Sequence, residues 1–333
     1  MSILIMKEIR KGKTMYGYKD LKPNIIVSDN QVECPVKDCN YIVERQRRNI
    51  TVDERHKCPK HRIFISPSTF KYESENDNML WTNSEDLKLF SGIKKVKRER
   101  RITHDNSEDA LTWNVFRFLD TENILGDFLS NISGQQESDI ELIFWSYSPH
   151  ENAAWSRLNK ARLEFGELLR RSSEPDIIVK TKEALFFIET KFQAPNKVTH
   201  RKPSVVKKYL TGGDCWFEKV FRSPYETIAI KDHKYELMRF WLLGTWMAAQ
   251  AGVPFYLVNL VQSEKEQEIE SQFGKHILQT NKNIFIRKTW DDVIKLVCNS
   301  PNENEEKDKM INYLKNKTVG YNSRHELKKA FRI

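Results

Sequence analysis

From Asp176 to Lys191 the chain reads Asp-Ile-Ile-Val-Lys-Thr-Lys-Glu-Ala-Leu-Phe-Phe-Ile-Glu-Thr-Lys, two apolar runs parted by a polar segment at 180–183. Short runs of β-branched and aromatic residues on either side of a charged turn predict a β-hairpin. A turn centred on Lys182 and Glu183 sets Asp176 across from Glu189 in an antiparallel pair. Glu189 and Lys191 are two apart on one strand, so their side chains leave the same face. The pattern therefore gathers two carboxylates and an ammonium at one end of an apolar hairpin.

The remaining pattern supplies elements to cover that hairpin. A helix is expected after His104, with Asp105 or Asn106 as N-cap, Glu108 or Asp109 completing a capping box, and Ala110, Leu111, Val115, Phe118 and Leu119 on its apolar face. A strand at 140–145 and a helix at 153–169 follow, the latter with Trp155, Leu158, Ala161 and Leu163 facing inward. Beyond the hairpin, Leu237, Trp241 and Thr245 beside Met238, Leu242 and Trp246 mark a helix with a wide apolar face. Strands at 254–260 and 283–286 and a helix at 291–297 continue the alternation. The reading is an α/β core with a central mixed sheet flanked by helices.

Four segments result. Residues 1–75, with short β-like runs at 24–27, 41–43 and 62–65, form a small ribbon-like module. Residues 76–106 form a linker containing the basic run from Lys94 to Arg101, a hinge or a strip facing nucleic acid. Residues 107–298 are the core, and 299–333 an acidic linker at 301–309 and a final helix near 326–331.

The chain has 333 residues, 30% of them charged, and a formal net charge of +9, a balance that favours polyanionic partners. Its longest apolar stretch, 240–249, is far shorter than the roughly 20 residues of a membrane span, and no leader is visible, so a cytoplasmic protein is expected. Five cysteines, an odd number, argue against a disulfide framework. Cys34-x4-Cys39 and Cys58-x2-His61 offer two pairs of soft or borderline ligands for a structural Zn2+, with His56 as an alternative to His61. Cys215 and Cys298 are expected to be packing residues. Arg45, Arg47 and Arg48 beside the cluster, and Lys197, His200, Arg201, Lys202, Lys207 and Lys208 after the hairpin, are candidate phosphate contacts.

Adjacent carboxylates repel, and burial makes their ionised forms costly. A hard divalent cation resolves the conflict, since Mg2+ takes one or two carboxylates plus waters and phosphate oxygens. Pro175-Asp176 with Glu189-Thr190-Lys191 resembles the signature of the PD-(D/E)xK nuclease superfamily, the fold of many type II restriction endonucleases. The resemblance covers roughly residues 107–290. It implies a restriction endonuclease-like core and Mg2+- or Mn2+-dependent hydrolysis of double-stranded DNA. Asp176 and Glu189 would ligate the ion and Lys191 would assist the nucleophile. Glu108 would be an auxiliary acid from the first core helix, with Glu174 and Glu167 as other candidates; Tyr235, Glu236 and Arg239, on one helix face, would stand near the site or form a surface ion pair, and Gln193 would lie at the rim. The resemblance also implies a homodimer. The whole chain resembles bacterial restriction endonuclease-like proteins with an N-terminal Cys/His cluster, which implies a role in restriction or defence alongside partner proteins. The alternatives are a non-catalytic zinc-ribbon DNA-binding protein and a nuclease acting on RNA or branched DNA.

Overall fold

The computed structural model describes residues 13–14, 17–18, 20–46, 50–97, 101–169, 173–199 and 203–333. The chain forms two compact units, each assembled from separated segments.

The larger unit takes residues 83–99 and 119–300 and is built on a mixed seven-stranded sheet. Its strands are β1 (Glu141–Phe144), β2 (Tyr147–Ser148), β3 (Ala153–Ala154), β4 (Ile177–Lys180), β5 (Leu185–Thr190), β6 (Phe255–Val261) and β7 (Asn283–Thr289), in the spatial order β3-β2-β1-β4-β5-β6-β7. The β4–β5 hairpin has the register expected from the sequence, Ile177 opposite Ile188 and Lys180 opposite Leu185. β5, β6 and β7 run parallel, because long connections through helices return the chain to the same end of the sheet. Every residue of β5 and β6 is buried, and both strands are apolar except at Glu189, Thr190 and Asn259.

The flanking helices are α1 (Ser84–Val96), α2 (Leu125–Ser133), α3 (Ser156–Glu164), α4 (Pro203–Val220, kinked at 212–215), α5 (Tyr235–Ala251), α6 (Ile269–Gly274) and α7 (Trp290–Asn299). In α5 every residue from Leu237 to Ala248 is buried, and Gly244 meets the Phe255 ring where a Cβ would overlap it. This helix joins Ile143, Leu158, Ile178, Phe187 and Leu257 in one core cluster.

Several elements differ from the sequence-based expectation. The expected helix at 153–169 starts only at Ser156, because Ala153 and Ala154 pair with Tyr147 and Ser148 at the sheet edge. Leu163 is 62% exposed rather than inward. The stretch expected as a linker contains α1, whose Phe90 and Ile93 are buried. Lys94 and Lys95 lie in its last turn, while Arg98 and Arg100 of the basic run lie outside the described residues.

The smaller unit takes residues up to 82, 100–118 and 301–333. A hairpin of Gln31–Glu33 with Ile42–Glu44 and a three-stranded sheet of Lys57–Cys58, Ile63–Ile65 and Phe70–Tyr72 enclose an apolar cluster. Tyr321 and Leu327, from the far end of the sequence, pack on the same cluster. The run at 24–27 forms no strand of its own and bridges its neighbours through Asn24 and Val27. The segment expected as an acidic linker carries the helix Glu305–Asn316, capped by Asn304. The segment expected as a final helix instead supplies a strand, Leu327–Lys329, paired with Thr318–Tyr321. The helix Glu108–Thr121 starts where expected, but Ser107, not Asp105 or Asn106, accepts from the Ala110 amide. Asp105 is engaged elsewhere, its carboxylate accepting from the Tyr72 and Thr318 hydroxyls. Among the described residues no helix is long and apolar enough to cross a membrane.

Candidate functional site

The β4–β5 pairing ends at Ile177 opposite Ile188, and Asp176 and Glu189 are the next residues on the two chains, near enough for the Asp176 charge to act on Glu189. Asp176 sits just before β4 and is tied at three points. Its Oδ2 accepts from the Thr190 amide at 2.9 Å and the Thr190 hydroxyl at 2.8 Å, and its Oδ1 accepts from the Trp145 indole at 3.1 Å. Glu189 is only 4% exposed. Its Oε1 accepts from Lys191 Nζ at 2.5 Å, while its Oε2 is buried with no hydrogen-bond partner among the described residues.

The electrostatics follow from that placement. Burial pushes the Glu189 carboxyl well above the ordinary carboxylate range. The Lys191 ammonium opposes the shift, and the charges of Asp176 and Glu236 add to it. Glu174 is also raised by burial, against the pull of Arg162 and Lys97 and with Asp176 adding to the rise. A buried carboxylate with one orphan oxygen, near two further acids, is a site where a cation lowers the free energy.

Trp145 carries a further cost at this place. It and Ser146 form the two-residue turn between β1 and β2, and both adopt left-handed backbone, φ 45° and 65°. Such turns favour asparagine or glycine, and a bulky residue held there costs on the order of 1–3 kcal/mol. The turn directs the indole onto Asp176, and the Lys97 ammonium lies 4.3 Å from the centre of the Trp145 ring. No periodicity or motif in the sequence singles out Trp145, because its part depends on a turn geometry its residue type disfavours.

No family model matches the chain, and no curated protein or solved structure matches it either. The chemistry of the site rests on its own residues.

The other expected site residues fall in different places. Glu108 opens its helix in the smaller unit, half-buried. Glu167 is not a spare acid: both its oxygens accept from Arg239, and one also accepts from the Tyr209 hydroxyl. Burial alone would raise this carboxyl, but Arg239, Tyr209 and Arg162 together hold it down to about 2. Arg239, expected near the site or in a surface ion pair, is 1% exposed and donates to the Ser173 carbonyl, as does Arg162. The two guanidiniums thus pin the chain three residues before Asp176. Tyr235 turns to the Tyr209 hydroxyl, whereas Glu236, beside it, acts on Glu189 through its charge. Gln193, Lys197 and Lys207 are exposed, and His200, Arg201 and Lys202 lie outside the described residues.

In the smaller unit Cys34, Cys39, Cys58 and His61 converge with their ligand atoms within 4.8 Å of one another, and each residue is at most 2% exposed. His61 Nδ1 is 3.5 Å from the sulfurs of both Cys34 and Cys58, and the Cys39 and Cys58 sulfurs are 3.9 Å apart. A tetrahedral ion with Zn–S and Zn–N bonds of ordinary length spaces its ligands about 3.5–3.8 Å apart. The cluster therefore suits a metal such as zinc. Left-handed backbone at Asp38 and Arg62 tightens the two ligand loops. The Cys34 thiol, hydrogen-bonded to Cys58, draws Cys58 down to about 5 and is itself pushed up. His56 is outside this set, its Nδ1 bonded to the Glu44 carbonyl. Arg45 is tied to the Ser28 carbonyl, and Arg47 and Arg48 lie outside the described residues. Cys215 and Cys298, expected to pack, are exposed.

Proposed function

We propose that the chain is a Mg2+- or Mn2+-dependent nuclease of the restriction endonuclease-like kind, cutting DNA. The observation that carries the reading is the buried Glu189 carboxylate, whose Oε2 lacks a partner among the described residues while Asp176 stands across the hairpin. Oxygen donors of this type suit a hard divalent ion, and Glu189 Oε2 with Asp176 would hold it. Such an ion, when bound, polarises a phosphodiester and yields hydroxide from water near neutral pH. Asp176 keeps its aim through Thr190 and Trp145. Lys191, released from Glu189 Oε1, would hold the attacking water or offset charge on the phosphate in the transition state. The smaller unit, with a structural Zn2+ on Cys34, Cys39, Cys58 and His61, would position the DNA, and the net charge of +9 suits such a partner. By the same reading the active form is a homodimer serving restriction or defence.

The test is cleavage of plasmid and linear DNA in Mg2+ or Mn2+, with Lys191→Ala and Asp176→Ala beside the wild type. Metal-dependent cutting lost in both variants is expected. Binding of DNA without cutting in either metal would overturn the reading and leave a binding protein.

A further inference from the structure

The turn end of the β4–β5 hairpin, opposite the end with Asp176 and Glu189, borders a pocket of about 520 Å3. Four cationic side chains line it, Arg157 and Lys160 from α3 and Lys180 and Lys182 from the hairpin, against a single acid, Asp139. Arg157, Lys160 and Lys182 are exposed and make no ion pair among the described residues, while Lys180 reaches Glu141 only at 3.9 Å. The remaining wall is apolar, formed mainly by Trp155, Leu185, Trp246, Met247 and Val253.

Unpaired like charges around one cavity repel, and a multivalent anion would relieve that repulsion. Inorganic phosphate would leave the indole walls without a partner. A fatty acid, with one carboxylate, would leave most of the cations unanswered. A molecule with a flat apolar ring at one end and several negative charges at the other satisfies both halves, and the volume lies in the ordinary range for such ligands, about 300–1,000 Å3. We propose that this pocket binds a free nucleotide. The base lies against Trp155, Trp246 and Met247, and the phosphates meet Arg157, Lys160, Lys180 and Lys182. The proposal does not depend on the nuclease reading, since none of these residues belongs to the Asp176–Glu189 site.

Isothermal titration calorimetry of the whole chain in metal-free buffer tests it, with adenine and guanine mono-, di- and triphosphates as titrants. Adenosine, guanosine and inorganic tripolyphosphate serve as the separate halves. The expected result is one nucleotide per chain, with each half alone at least tenfold weaker. The double variant Arg157→Glu/Lys182→Glu, which changes only exposed side chains, is expected to lose at least tenfold in affinity while unfolding at the wild-type temperature. Glu189→Gln is expected to bind as the wild type does. The proposal is overturned if no nucleotide binds, if tripolyphosphate binds as tightly as a nucleotide, if the double variant binds unchanged, or if Glu189→Gln abolishes binding.

Discussion

Replacing Glu189 with glutamine should make the metal-free protein more stable at neutral pH, although it removes a residue from the candidate site. The carboxylate is enclosed, one oxygen lacks a partner among the described residues, and two other acids weigh on it. An unsatisfied buried polar group costs about 1–3 kcal/mol. Glutamine keeps the shape and an acceptor for Lys191, whose long side chain is partly exposed; its amide nitrogen is as unpartnered as Oε2, but it has no charge to desolvate, and that charge is the part of the cost removed. Taking about 2 kcal/mol, a domain of 150–250 residues should gain about 4–8 °C in Tm. The sign with pH is definite. A carboxyl raised in the folded state favours folding fully below its unfolded value of about 4.3, and that contribution is lost as pH rises through the folded value. The gap between variant and wild type should therefore be near zero at pH 4 and widen toward neutrality. Mg2+ at ten times its Kd should return about 1.4 kcal/mol to the wild type alone. Thermal unfolding from pH 4 to 8, with and without Mg2+, measures all of this. A variant less stable than wild type at every pH, or a gap that ignores pH, would refute the reasoning.

Two more outcomes are expected. Cys34→Ser or Cys58→Ser should drop bound zinc, measured by elemental analysis, from about one ion per chain toward none, and strong chelators should unfold the smaller unit of the wild type. Arg239→Met strands Glu167 in the core and should cost about 3–5 kcal/mol in denaturant unfolding. Because Glu167 is held down to about 2, the wild type keeps this contribution above about pH 4.3 and loses it as pH falls toward 2, a slope the variant should lack.

The hairpin register was legible from the polar turn centred on Lys182 and Glu183 rather than from the apolar runs, which are buried on both faces and would tolerate a slip. The cysteine and histidine spacings likewise led to four ligands that do converge. What the sequence hid depends on distant partners. Leu163 continues an apolar pattern yet faces out, because the buried face of this short helix runs through Leu158, Ala161 and Arg162. The 326–331 segment reads as helical on its own, but the Leu327 amide bonds to the Pro23 carbonyl and its neighbours pair with Thr318 and Gly320, so tertiary pairing overrides local preference. Arg239 looked like a surface charge because nothing local reveals Glu167, 72 positions away, as its buried partner.

The smaller unit also sets an order of assembly during synthesis. The Ile25 amide bonds to the His325 carbonyl, the Tyr321 amide to the Ser68 carbonyl, and the Tyr321 hydroxyl donates to the Lys22 carbonyl. The segment from Lys22 to Tyr72 thus waits for residues beyond 300 before its core can close, while the larger unit, whose segments end at Ser300, can already be complete. Until then Tyr321 and Leu327 are missing from the apolar cluster around Cys34, Cys39 and Cys58, so the metal-ligand set reaches its final surroundings only after about 260 further residues have been made.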